Sequence, residues 1–154
     1  IHSLYVNIRG EKLLVTELEA ERLYRMKKWV IDEELKWEMR NKKYYLKATL
    51  IAEDGTELSL RGTKHIKFSF CILYRNIIPI RRFDFFDNHT NADGTKILGG
   101  KPHKHKWNGL NCDHAYEVDD ININDVNIGL FNFLDECNIE FSGKYQSILV
   151  KQKE

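Results

Sequence analysis

The sequence predicts an α+β domain built on an antiparallel, meander-like β-sheet, with an N-terminal helix and a C-terminal helix packed on it. Three observations carry that prediction. Apolar residues alternate through the middle of the chain, helical spacing is confined to the regions near its two ends, and the turn dipeptides Asp54-Gly55, Asp93-Gly94 and Asn108-Gly109 punctuate the rest. The 154 residues fit a single domain, 1–154, long enough to bury a hydrophobic core.

Taken in order, Leu4 to Val15 reads as a short strand or turn ahead of a helix. Thr16-Glu17-Leu18-Glu19 matches a capping box, in which Thr16 caps and Glu19 returns the bond, so the helix should run from about Glu17 to Trp29. From Leu35 the period becomes two. Leu35, Trp37 and Met39 alternate with Lys36 and Glu38, then Leu46, Ala48 and Leu50 do the same, and Leu58 to Leu60 returns antiparallel after the Asp54-Gly55 turn. Ile66, Phe68, Phe70, Ile72 and Tyr74 form the strongest strand pattern; weakly polar Ser69, Cys71 and Leu73 between them make it a candidate central strand covered on both faces. Arg75-Asn76 opens a turn into Ile78 to Phe85, where Pro79 belongs at a strand start or an edge because it cannot donate to a ladder. Asn122 or Asn124 is expected to cap a helix with Val126, Leu130, Phe133, Leu134 and Cys137 on its buried stripe. Ile148-Leu149-Val150 would make a last edge strand.

Composition narrows the function classes. A formal net charge of +1 removes any global polyanion signal, so a nucleic-acid contact must be local. Three widely spaced cysteines, Cys71, Cys112 and Cys137, do not form a disulfide framework and suit a reducing cytoplasm. No apolar run reaches the length of a membrane span, so the expected location is cytoplasmic.

The chemistry concentrates between Asn88 and His114, which holds four of the six histidines. His103 and His105 alternate along a strand and so share a face. If Asn108-Gly109 forms a two-residue type I′ turn, Trp107 pairs with Leu110, His105 with Cys112 and His103 with His114. That register predicts a metal site of His103, His105, Cys112 and His114, donors suited to a divalent metal such as zinc. A longer loop would break the opposition and leave only His103 and His105 together. Upstream, His89, Asn91, Asp93 and Gly94 imitate a calcium loop, but His89 stands where an acid is needed and Gly100 where a glutamate is, so calcium is rejected. Asp93-Gly94 is a turn.

The run His89-Thr90-Asn91-Ala92-Asp93-Gly94, the segment His103-Lys104-His105 and the stretch Phe133 to Ile139 resemble a family of small bacterial and phage-associated proteins of unknown function. The Pro102-His103-Lys104-His105 segment is more loosely similar to the TumE toxins of toxin and antitoxin pairs. The resemblance implies a site of His89, Asn91, Asp93, Gly94, His103 and His105, without Cys112 and His114.

The resulting expectation is a mobile-element or toxin-like protein acting on nucleic acid. His89, His103 and His105 would be catalytic, as general acid and base in phosphoryl transfer or as holders of a metal that generates hydroxide. Asn91 and Asp93 complete the binding set, Lys101, Lys104 and Lys106, with Arg81 and Arg82, would contact phosphates, and Trp107 would offer a stacking surface. Nucleic acid and an antitoxin or other protein are the expected partners. The competing reading is a non-catalytic binding or inhibitor module whose histidines are structural or hold zinc.

Overall fold

The computed structural model describes residues 15–86 and 88–149, and all structural statements concern these. The expectation for Leu4 onward therefore lies outside the described residues up to position 14. Helix α1 (Glu17–Arg25) is followed by strands β1 (Lys28–Val30), β2 (Glu34–Lys36), β3 (Glu38–Arg40), β4 (Lys43–Ala52), β5 (Glu57–Lys64), β6 (Phe68–Tyr74) and β7 (Ile78–Asp84). Then come β8 (His89–Thr90), β9 (Lys96–Ile97), β10 (His103–Lys106) and β11 (His114–Glu117), helix α2 (Val126–Glu136), and β12 (Ile139–Glu140) and β13 (Lys144–Gln146). The main sheet runs β11-β10-β7-β6-β5-β4-β1-β12, with β3 added to β4. Only the β1–β12 pair in it is parallel. The α+β class and the meander are as the alternation predicts.

One face of this sheet carries the core. Leu46, Leu50, Leu60, Phe70, Ile72 and Phe83 project from it, and α2 covers them with Val126, Leu130, Phe133 and Leu134. Phe70 is the hub, with ring centroids 5.4 Å from Phe133 and 6.1 Å from Phe83. The helix sits close because Gly129 is small: a Cβ there would lie 2.6 Å from the Asn122 carbonyl oxygen. The opposite face is half-exposed along β6, at Ser69, Cys71 and Leu73, so this strand is not covered on both sides as its composition suggests.

Helix α1 ends at Arg25, a turn before Trp29, because Lys28 terminates it. The fully buried Lys28 ammonium donates to the carbonyls of Leu23, Tyr24 and Met26 at 2.7, 2.8 and 2.6 Å, satisfying acceptors that the helix end leaves open. Met26 is extended, and Lys28–Val30 is then free to pair with β4. The Thr16 cap is as expected, accepting from Glu19 N at 3.1 Å.

Other boundaries shift for equally local reasons. Ile66 is 85 % exposed in the β5–β6 connection, so the central strand begins at Phe68. The Leu35-Trp37-Met39 alternation is split: β2 pairs parallel with β13, and β3 pairs with β4. The cap of α2 is Asp125, whose carboxylate accepts from Asn127 N at 2.8 Å; Asn122 instead ties the preceding turn by accepting from Asn124 N and Asp125 N. Lys144–Gln146 makes the last strand among the described residues; of the expected Ile148 to Val150 strand, Val150 lies outside them, and Ile148 turns inward to the core and bonds the Asn127 side chain. Pro79 lies beside the register shift between β6 and β7, beyond the end of β10 where no donor is needed.

Burial pushes the Lys28 amine down to about 8, below its ordinary value. The unfolded chain then binds more protons above pH 8, and the Lys28 contribution to stability rises with pH between about 8 and 10.5. Lys28→Met is expected to lower urea stability at neutral pH by about 1–3 kcal/mol, by orphaning carbonyls, and to abolish that rise relative to wild type.

Candidate metal centre

The hairpin that carries His103 and His105 does not close at a two-residue turn. Gly109 alone has positive φ there, and the Asn108 side chain accepts from Leu110 N and Asn111 N at 2.9 and 2.8 Å, holding the turn in an Asx conformation. The loop spends Trp107 to Asp113, so His103 pairs with Glu117, His105 with Ala115 and Lys106 with His114. This corrects the predicted pairing of His105 with Cys112 and of His103 with His114. His114 falls on the other face of the ribbon by alternation. Cys112 is buried, and its carbonyl, not its thiol, meets His105. Burial pushes that thiol up to about 11.

The second partner of β10 is β7, and that pairing sets Asp84 opposite His103 and Arg82 opposite His105. Asp84, His103 and His105 therefore project together from the face away from the helices. Their metal-ligating atoms all lie within 4.8 Å of one another, and all three residues are buried. The Asp84 oxygens stand 2.9 Å from His103 Nε2 and 3.4 Å from His105 Nε2. Ligands of a tetrahedral zinc ion are spaced about 3.3 Å apart, given bonds of about 2.0–2.1 Å. The two distances bracket that spacing.

Proton placement makes the case stronger. His103 Nδ1 lies 2.8 Å from the Lys101 carbonyl and His105 Nδ1 3.1 Å from the Cys112 carbonyl. A carbonyl only accepts, so each Nδ1 carries a proton, and an imidazole with no second proton turns its Nε2 lone pair toward Asp84. Burial lowers the pKa of His105 below the ordinary histidine value, with the Arg82 charge adding to the effect and Asp84 opposing it. Burial also acts to raise the Asp84 carboxyl, but the His105 contact and the charges of His103 and His105 outweigh it and hold it below the usual range. Where both rings are neutral instead, an ionised carboxylate faces two lone pairs, and the His105 Nε2 makes no hydrogen bond among the described residues. A cation between them would satisfy all three atoms. Ligating histidines anchored through Nδ1 to backbone carbonyls are the outer-shell arrangement that metal sites use.

A third imidazole stands beside this group. The β8–β9 ribbon brings the His89 ring centroid within 5.0 Å of His105 and 6.5 Å of His103, and its Nε2 is buried without a partner. Asn91 fixes the ribbon. Its side chain accepts from Ala115 N and donates to Ala115 O, both at 2.7 Å, copying a strand pairing onto β11. Asp93 is exposed and accepts from Thr95 N and Oγ1, so it shapes the turn in which Gly94 has φ +90°, as the sequence suggests.

The proposed phosphate contacts are dispersed. Lys104 is fully buried on the helix side, paired with Asp120 and Glu136 at 2.9 and 2.7 Å. Trp107 is buried too, donating to the Val15 carbonyl at 2.6 Å, and offers no stacking surface. Lys106 reaches Glu17 at 3.4 Å, and Lys101 is exposed. Asp84 is the site residue that the sequence reading passed over. Its signal was parity with Arg82 on a strand ending just before His89, which is weak without knowing that β10 pairs with β7.

The family described as "Family of unknown function (DUF6978)" matches residues 15–139. The chain belongs to this family. The match spans both helices and every residue of the Asp84, His89, His103 and His105 group. No curated protein and no solved structure matches the chain.

Asn91→Ala is expected to free the β8–β9 ribbon while sparing the sheet. Amide exchange between Asn88 and Ile97 should rise sharply, with a loss of about 1–3 kcal/mol from the orphaned Ala115 groups. Unchanged protection in that ribbon would show that Asn91 is not its anchor.

Proposed function

We propose that this member of the family is a metalloprotein in which Asp84, His103 and His105 ligate one divalent cation of the zinc type. The observation that carries the reading is the convergence of a buried carboxylate and two imidazole Nε2 atoms, their ligating atoms all within 4.8 Å of one another and the other ring nitrogens pinned to carbonyls. Two histidines and one carboxylate leave a coordination position open, as in catalytic zinc sites. His89 stands beside the group, its ring centroid 5.0 Å from that of His105. Among the described residues no helix is long and apolar enough to cross a membrane.

Metal analysis of the purified protein tests this directly. About one equivalent of zinc or a similar ion is expected, lost in His103→Ala, His105→Ala and Asp84→Ala. Excess metal should stabilise the stripped protein by about 2.7 kcal/mol at a hundred times Kd. A stripped protein whose melting temperature ignores added metal would end the proposal.

A second reading keeps the hydrolytic chemistry expected from the sequence, with nucleic acid as substrate and a toxin-like role. The unpartnered His89 Nε2 supports it, because a free imidazole beside an ion can hold or deliver the proton of a bound water. Asp84, His103 and His105 are between 2 and 8 % exposed, so a substrate reaches them only if the β8–β9 ribbon lifts. On this reading His89→Ala keeps the metal yet lowers RNA cleavage by about 10²- to 10⁴-fold. Metal loss in the same variant would instead make His89 a fourth ligand of a closed, structural centre. Cleavage that survives chelation would point to acid and base histidines alone.

A further inference from the structure

The open face of the sheet carries a row of cations that neither the metal nor the core uses. Strand register places Lys47 opposite Arg61, Arg61 opposite Cys71, Cys71 opposite Arg82 and Arg82 opposite His105. At about 4.8 Å per strand, three cations span roughly 14 Å and stop at the edge of the His105 group. Hydroxyls flank the row on both sides, with Thr49 opposite Ser59 and Thr63 opposite Ser69. We infer that this face binds a single-stranded nucleic acid, laid across strands β4 to β7 with its phosphates on Lys47, Arg61 and Arg82.

Four observations support that occupant. The buried Nε of Arg61 has no hydrogen-bond partner among the described residues, whereas the Nε of Arg82 stands 3.4 Å from Asp84 Oδ2, so both arginines meet a ligand through their terminal nitrogens. Arg61 is oriented by its own bond to Asn76 Oδ1 at 3.1 Å, which leaves its charge without a paired carboxylate in the described residues. Arg82 keeps 41 % of its side chain exposed although Asp84 lies 3.4 Å away. Cys71, between the two arginines, is a neutral thiol, since burial pushes it up to about 12, and it places no negative charge under a passing phosphate.

Geometry selects a single strand over a duplex. The major groove, about 12 Å wide, admits a helix or a two-stranded ribbon, whereas a flat face four strands broad cannot enter it. Sheet faces do bind single strands, whose phosphates follow one another about every 3.4 Å when stacked, so the row matches roughly four nucleotides. Carboxylates border the track beside both Lys47 and Arg61. Glu57 lines the groove on one side of Lys47, and Asp32, Glu34 and Glu38 line the groove on the other. The attraction is therefore strongest along the row itself.

The inference stands apart from the metal reading, and its test can be run on stripped protein. A labelled oligothymidylate of about twelve residues, within the usual site sizes, is titrated by fluorescence anisotropy at about 50 and 200 mM salt. Wild type should bind with affinity falling steeply as salt rises. Lys47→Ala and Arg61→Ala should each weaken binding about 3- to 10-fold and lower the salt slope by about one, with metal content unchanged. Lys47 is exposed, so its variant remains informative even if Arg61→Ala misfolds. No binding at the lower salt, wild-type affinity in Lys47→Ala, or displacement by an equal concentration of the duplex overturns the inference. Loss of metal binding in the Asp84 variant with oligonucleotide binding intact would separate the two sites.

Discussion

A buried carboxylate confronting two imidazole nitrogens is the constraint around which the functional half of this molecule is arranged. Asp84 Oδ1 and Oδ2 face the Nε2 atoms of His103 and His105, and the opposite ring nitrogens are held by the Lys101 and Cys112 carbonyls. In water such a contact would relax by rotation or hydration. Here the rings are buried and each Nδ1 proton is set by backbone, so beyond the Arg82 Nε 3.4 Å from Asp84 Oδ2 the contact is relieved by protonating the imidazoles or by a further cation. Burial works against the first at His105. The second is what the donor set, the spacing and the outer-shell bonds are suited to.

The two faces of the sheet divide the labour. On the helix side, polar groups are buried only where they complete a structural bond: Lys28 caps α1, Lys104 pairs with Asp120 and Glu136, and Arg81 joins Glu21 at 2.6 Å while stacking 3.6 Å from the Tyr24 ring. Each such charge would be costly without its partner, and each therefore fixes how a helix docks on the sheet. On the other side, donors and acceptors are left with capacity in hand at His89, His105, Arg61 and Arg82. Unspent hydrogen-bonding capacity in buried atoms is uncommon, and among the described residues four of the five such atoms lie away from the helices, Arg81 Nε being the fifth.

The same reasoning explains which lysines lost their expected role. Lys104 and Lys106 alternate with His103 and His105, so any register that gathers the histidines sends these lysines to the helix side. A basic composition around the histidines was therefore a poor guide to phosphate binding. The cations that share the histidine face, Arg82 and Arg61, lie on neighbouring strands far away in sequence.

Much of the scaffold was legible in the chain itself. Alternation at Leu46-Ala48-Leu50 and at Phe68-Phe70-Ile72, the Thr16 capping box, the stripe from Val126 to Leu134 and the Asp93-Gly94 turn are local patterns with local causes, and a period of two or of 3.6 survives folding. The shared face of His103 and His105 follows from the same alternation. The hairpin register, the ligand Asp84, the approach of His89 and the cation row were decided only in three dimensions. An Asx turn at Asn108 lengthened a loop that a dipeptide rule would have closed, and pairing between β7 and β10 joined residues some twenty positions apart. Such contacts depend on which strands become neighbours, and that choice is made by burial of the whole sheet face under two helices rather than by any short stretch of sequence.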